Sequence, residues 1–233
     1  MVRPIVAFFL RGKKFTDPID EKSYRKFLPY GYENIRENAL APGTLSLERH
    51  RLFWLYLKNE TSFFTSENLR VLHFAPEQAF LKRFRKLRHL QYTTTDLNSP
   101  IADVKADICN LPFEDNAYDF IICNHVLEHI PDDTKAMQEL YRVLAPGGTA
   151  ILQVPYDKNR AATFEDNSIT DRDERARIFG QYDHVRIYGM DYFKKLGAIG
   201  FQIDAVDYTA SLSETEITKY RLPKGELIPV CHK

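Results

Sequence analysis

Neither sign of charge is in excess: 32 Lys and Arg stand against 32 Asp and Glu in 233 residues. A protein built mainly to grip a nucleic-acid backbone usually carries a positive surplus, so a nucleic acid is not the expected partner, although a local basic patch stays open. Cysteine is scarce. Cys109, Cys123 and Cys231 are odd in number and widely spaced, which gives no disulfide framework and no four-cysteine zinc site. A cytoplasmic, reducing location fits that usage. Long apolar runs are missing as well. Pro4 to Leu10, followed by Arg11, Lys13 and Lys14, is at the short limit of a signal-peptide core and lacks a small-residue cleavage site. No window approaches the ~20 apolar residues of a membrane span. The Gly-x-Gly-x-x-Gly turn that cradles a dinucleotide pyrophosphate is also absent. What remains is an ordinary globular composition, 44% hydrophobic, 13% aromatic and 27% charged, enough for one large domain or for one domain with a small appendage.

The chain changes character along its length. Residues 1 to about 60 mix polar, proline-bearing and aromatic pieces, up to the turn Ala41-Pro42-Gly43-Thr44 and a helix expected over 46–58 with Leu52, Leu55 and Tyr56 on one side. From residue 69 onward, short β-rich runs alternate with amphipathic helices. Strands are expected over 69–74, 90–95, 102–108, 118–123, 149–154, 201–208 and 227–231, and helices over 77–88, 132–144 and 190–196. Such alternation implies parallel strands with covering helices. Residues 156–189 interrupt the pattern, are dense in charge, hold a short helix expected after Thr170, and are too long for a simple crossover. The organisation read from this is an N-terminal extension, 1–60, and a catalytic domain, 61–233, with an insertion at 156–189. The run Lys82, Arg83, Arg85, Lys86 and Arg88 falls on the outer side of its helix and reads as a solvated face.

In a doubly wound sheet, ligands sit at the carboxyl ends of the strands where the strand order reverses. The residues at those ends are therefore the candidates: His73, Phe74, Ala75 and Glu77 after the first strand, Asp96 and Leu97 after the second, Asp107 and Ile108 after the third, and Asn124 and His125 after the fourth. Asp96 lies 21 residues past Ala75, close to the ~20 expected of an acid that accepts both hydroxyls of a ribose. The alternative is a plain turn cap, and the register favours the ribose. His125, Glu128 and His129 share a helical side and could bind metal, but nothing else in the sequence completes a site, so no metal is expected. His125, His129 and His184 are the candidate catalytic residues, since an imidazole titrates near neutral pH. Tyr182, His184 and Arg186 of the insertion could meet an acceptor.

Three segments carry a resemblance. They are Asp107-Ile108-Cys109-Asn110-Leu111-Pro112-Phe113, Tyr118 through His129 (YDFIICNHVLEH), and Leu140-Tyr141-Arg142-Val143-Leu144-Ala145-Pro146-Gly147-Gly148. In this order and spacing the chain resembles the class I methyltransferases, in particular the group that includes the ubiquinone and sterol methyltransferases. The resemblance covers residues 69–154. It implies a Rossmann-like α/β fold, mostly parallel with an antiparallel C-terminal strand, and S-adenosyl-L-methionine as cofactor. Asp96 would then hold the ribose and Asp107-Ile108 the adenine, with Asn124-His125 beside the methionine part or the acceptor. Where that group has an acidic-x-Gly-x-Gly loop, this chain has His73, Ala75 and Glu77. A carboxylate there is tolerable beside a cationic sulfonium and hostile to a pyrophosphate. Pro76-Glu77 also reads as plain helix initiation. Residues 46–51 (SLERHR) resemble the helix that follows a small zinc ribbon in some methyltransferases, but Ala41-Pro42-Gly43-Thr44 has neither cysteine, like a ribbon that has lost its metal. The activity implied is methyl transfer to an oxygen, nitrogen or carbon of a small or medium acceptor. The alternatives are an inactive methyltransferase-like subunit that binds a partner through residues 1–60, and a nicotinamide-dependent oxidoreductase or epimerase, against which the missing glycine turn argues.

Overall fold

The structure, a computed structural model, describes residues 2–31 and 34–233, with the side chains of all of these except Val2 and Arg3. Packing divides the chain into two units, the first made of residues 1–67, 77–89 and 207–227, the second of 68–76, 90–206 and 228–233. The first therefore takes more of the chain than an N-terminal extension alone.

In the first unit, a short helix, Val2–Phe9, leads into two small antiparallel ribbons, Arg11–Asp17 with Lys22–Tyr24 and Leu28–Tyr30 with Arg36–Leu40. The expected helix runs over Glu48–Glu60 and buries Leu52, Leu55 and Tyr56. Arg51, wholly buried, organises this unit. Its guanidinium donates to the carbonyls of Ala39 (3.0 Å), Ser46 (2.8 Å), Tyr220 (2.7 Å) and Arg221 (3.1 Å). Nearby, the Thr44 hydroxyl donates to the buried Asp17 carboxylate, so the 41–47 turn is held by hydrogen bonds. Residues 77–88 do not form the long helix expected. Only Leu81–Phe84 is α-helical, and i to i+3 bonds flank it (Arg83 to Phe80, Lys86 to Arg83, Leu87 to Phe84). Packing overrides periodicity here: Phe80 and Phe84 stack with Trp54, ring planes 8° and 5° from parallel.

The second unit is built on a seven-stranded sheet: β1 (Leu69–Phe74), β2 (Leu90–Asp96), β3 (Val104–Lys105), β4 (Tyr118–Cys123), β5 (Leu144–Ile151), β6 (Gln202–Val206) and β7 (Ile228–His232). Their order is β6-β7-β5-β4-β1-β2-β3. All pairs are parallel except those of β7, which runs antiparallel to both β5 and β6. This is the Rossmann-like sheet with an antiparallel C-terminal strand. The run 102–108 shortens to the two residues of β3. The helices are α1 (Asp133–Val143), α2 (Arg172–Phe179) and α3 (Tyr192–Ile199). Asp132 caps α1 by accepting from the Lys135 amide, and Asp171, one residue after the expected Thr170, caps α2 through the Glu174 amide. The central β1 and β4 bury nearly every side chain, as parallel strands covered on both faces do. Leu72, Ile121, Met137, Leu140, Ala150, Tyr192 and Leu196 form the core against them.

Pro146-Gly147-Gly148 does not precede β5 but lies inside it, at a register shift against β4. Gly147 has a φ of +76°, and a Cβ on Gly148 would stand 2.8 Å from the Ala145 carbonyl oxygen and 3.0 Å from that of Asp119. Glycine is required at both. The Pro-Gly-Gly segment is thus a bulge that lets the chain enter the sheet straight from α1.

Arg51→Ala should cost the first unit about 3–5 kcal/mol, because it strands four carbonyls that share one buried cation. Arg51→Lys should rescue it only in part, since an ammonium cannot reproduce the planar fork. Urea unfolding of the full chain measures both; a loss below about 1 kcal/mol for Arg51→Ala would contradict this role.

Candidate functional site

The strand order reverses between β1 and β4, and there the carboxyl ends of β1, β2 and β4 splay around a cavity of about 500 Å³. Its walls are Phe74 and Ala75 after β1, Thr95, Asp96, Leu97 and Asn98 at β2, Ala106, Asp107 and Ile108 after β3, and His125, Val126, His129 and Ile130 after β4, with Asp183 from the insertion. Two non-glycine residues at its mouth hold left-handed backbones: Ala75 (φ +43°) and His125 (φ +54°). Each is pinned by its amide, Ala75 to the Thr95 carbonyl (2.9 Å) and His125 to that of Gln153 (2.7 Å). Such residues cost about 1–2 kcal/mol each and persist where the surroundings over-determine them, a condition that clusters at functional sites. Ala75 thus occupies a conformation that glycine would adopt more cheaply, at the position where the resembling enzymes have glycine.

Asp96 does two things at once. Its Oδ1 accepts from the amides of Asn98 (2.7 Å) and Ser99 (2.6 Å), closing the turn after β2. Its Oδ2 accepts no hydrogen bond among the described residues. Asp107 also spends Oδ1 locally, on the Cys109 amide at 2.8 Å, and Ile108 is buried beside it.

Three of the cofactor candidates are not among the walls. His73 is wholly buried within β1, its Nδ1 2.6 Å from the Tyr92 hydroxyl, because strand alternation turns it away from the mouth. Glu77 belongs by packing to the first unit, where its carbonyl accepts from the amides of Phe80 and Leu81, the helix-initiating role. Asn124 is buried immediately before the left-handed turn.

The candidate catalytic residues come together. A short 3₁₀ turn, Leu127–His129, follows β4. Glu128 on it is 1% exposed, and its Oε1 lies 3.3 Å from His125 Nδ1. The His129 Nδ1 donates to the Asp183 carbonyl at 3.2 Å, with Asp183 Oδ2 at 3.5 Å. His184 is buried, its ring 4.8 Å from that of His129 at 80°. Burial holds the His184 imidazole below its ordinary 6.5, with the Glu128 carboxylate opposing, so it stays neutral at pH 7. His184 also borders a second cavity of about 390 Å³, lined by Tyr156, Arg177, Phe179 and Ile187 among others.

Arg186 does not present a free guanidinium to an acceptor. It is 2% exposed and donates to the carbonyls of Leu127 (2.9 Å), Ile130 (2.5 Å) and Pro131 (2.9 Å) and to Glu165 Oε2 (2.9 Å), with Asp133 Oδ2 at 3.7 Å. It fastens the turn after β4 to the insertion. Tyr182 is half exposed, with the Arg172 guanidinium 4.2 Å over its ring. Sequence reasoning did not select Thr95, Asn98, Val126 or Ile130 as walls. They flank the chosen residues, and strand-end position is the signal that would have found them.

Such a cavity at the switch point of a sheet of this order defines the class of protein: a Rossmann-like α/β fold, a class in which ligands sit at strand ends. Residues 59–152 match the family model described as "Methyltransferase domain". The chain is 42% identical over 48 residues to a demethylmenaquinone methyltransferase of Staphylococcus epidermidis (21% of this chain, 20% of that protein). It is 44% identical over 52 residues to a 2-phytyl-1,4-naphtoquinone methyltransferase of Nostoc punctiforme (22% and 23%). It thus spans about a fifth of the length of these curated relatives. Among solved structures, an S-adenosylmethionine-dependent methyltransferase of Mesorhizobium loti shares the fold with a TM-score of 0.52 at 13% identity, over 72% of this chain and 92% of that one. So does the cyclase SpnF, with a TM-score of 0.51 at 19% identity, over 90% and 72%. Residues 59–152 are thus similar to a methyltransferase domain, and they lie on a Rossmann-like sheet.

Asp96→Asn should leave the turn intact, because an amide oxygen still accepts from Asn98 and Ser99, while removing the charge offered to a ribose. S-adenosylhomocysteine affinity measured by calorimetry should fall at least about tenfold with thermal stability nearly unchanged, a charge-assisted bond contributing about 1.5–3 kcal/mol. Unchanged affinity in the folded variant would leave Asp96 as a turn cap only.

Proposed function

We propose that this protein transfers the methyl group of S-adenosylmethionine to an oxygen, nitrogen or carbon of a small or medium acceptor, with the cofactor in the cavity at the ends of β1, β2 and β4. The observation that carries this reading is the placement of Asp96, Asp107 and Ile108 along one wall and His125 and His129 along the other. In it, Asp96 Oδ2 takes ribose hydroxyls, Ile108 packs against the adenine with Asp107 at its edge, and the left-handed turns at Ala75 and His125 let backbone approach the methionine portion. The walls offer no cation and no glycine turn to a pyrophosphate, which disfavours a nicotinamide cofactor.

Methyl transfer is an in-line displacement at a cationic sulfonium, so the cofactor supplies the reactivity and the protein positions the partners and excludes water. His129 and His184 stand between the cofactor cavity and the second one, which makes the latter the acceptor's place, with the insertion 156–189 as its cover. A neutral His184 suits proton removal from an acceptor that holds its proton. The charge balance and the acidic and histidine-rich walls favour a small molecule over a nucleic acid. No helix among the described residues is long and apolar enough to cross a membrane.

Calorimetry on the full chain separates this reading from its rivals. It predicts S-adenosylhomocysteine binding at micromolar Kd or tighter, about −8 kcal/mol or better, and NAD binding at least about 100-fold weaker. Tight NAD binding without S-adenosylhomocysteine would favour an oxidoreductase. No binding of either would favour the inactive, partner-binding subunit.

A further inference from the structure

The geometry points to a divalent transition-metal site formed by Glu128, His129 and His184. One ligand atom of each lies within 4.8 Å of the others. Zinc bonds of about 2.0–2.1 Å would set neighbouring ligand atoms about 3.3 Å apart, a contraction that side-chain rotation supplies. Two histidines and one carboxylate with open positions suit Zn²⁺ or Fe²⁺ and similar first-row ions.

Three further observations favour an ion. The Glu128 carboxylate is 1% exposed, and neither oxygen accepts a hydrogen bond among the described residues. The His125 ring, with Nδ1 at 3.3 Å from Oε1, stands beside it together with the two ligand histidines. A buried carboxylate without hydrogen bonds is costly and calls for a cation. Second, the His129 ring is oriented as a metal ligand is, its Nδ1–H given to the Asp183 main-chain carbonyl. That leaves its Nε2 as a lone-pair donor. Third, the backbone is fixed where it must be. The Val185 amide donates to the Glu128 carbonyl at 3.0 Å, and Arg186 ties the Leu127 carbonyl, so the 3₁₀ turn and the insertion cannot drift apart without breaking buried bonds. The sequence led to the expectation of no metal because His184 lies 55 positions beyond His129, where no spacing rule reaches.

The ion's role, though not its binding, rests on the methyl-transfer reading. Between the two cavities it would hold an oxygen of the acceptor and ease the loss of that oxygen's proton to solvent, His184 then serving as a ligand in place of a base. The acceptor class this selects carries a hydroxyl, phenol or enol as nucleophile.

The test uses the full chain without a polyhistidine tag, stripped with a chelator and dialysed against Zn²⁺, Mn²⁺ or Co²⁺. Metal content is read by mass spectrometry and Co²⁺ ligation by its visible absorption. The wild type should bind one ion per chain, Glu128→Gln and His184→Asn should each weaken binding by at least about tenfold, and S-adenosylhomocysteine affinity should change by less than about threefold. His184→Asn decides the matter if Glu128→Gln does not fold. A wild type that binds S-adenosylhomocysteine but no metal, or uptake unchanged in His184→Asn, overturns the metal site alone. Failure to bind S-adenosylhomocysteine with metal still held overturns the methyltransferase reading and leaves the site standing.

Discussion

Everything proposed for this protein depends on the pairing of β1 with β4, the two central parallel strands, and on how the chain leaves them. Register holds from Val71 opposite Phe120 to Phe74 opposite Cys123. One or two residues later both chains turn left-handed, at Ala75 and at His125, each pinned to a neighbouring carbonyl. Parallel strands of a doubly wound sheet lead outward at the same end, so two such turns side by side create an opening that neither strand would create alone. The strain is supported from below by fully buried aliphatic side chains, among them Leu72, Ile121 and Ile122.

The insertion completes the opening, and buried polar bonds rather than apolar area place it. Arg186 satisfies the carbonyls of Leu127, Ile130 and Pro131, while Asp133 at the start of α1 receives the Tyr188 hydroxyl and the Lys195 ammonium, both at 2.8 Å. These partners hold the Asp133 carboxyl below its ordinary range although burial pushes it up. A residue that a sequence reading places at a substrate is here the fastening of the insertion to the turn after β4.

Much of the frame was legible because its cause is local. The limits of β1 and β4 follow from short β-rich runs broken only by Arg70, His73 and Asp119, and Asp96 from its distance past Ala75. What was illegible is where packing decides. Residues 77–88 have helical periodicity, yet stacking of Phe80 and Phe84 on Trp54 leaves only one α-helical turn. The segment around Arg142 resembles a family motif, and its physical work is structural: Arg142 holds Glu139 and Asp115 at 2.8 Å and the carbonyls of Leu111 and Phe113, while Glu139 accepts from the Leu111 amide. That network holds the loop after β3, whose Ile108 lines the cavity, while Arg142 and Glu139 themselves are not among its walls. His184 joined His129 for the same reason, through long-range bonds that no spacing reveals.

The central claim is that one cavity, at the carboxyl ends of β1, β2 and β4, holds the cofactor. Amide hydrogen exchange of the full chain with and without S-adenosylhomocysteine tests it most directly. The account predicts slowed exchange in peptides covering 74–76, 95–98, 106–109 and 124–130, and little change over 11–60. Protection absent from those four segments, or confined to residues 1–67, would contradict it.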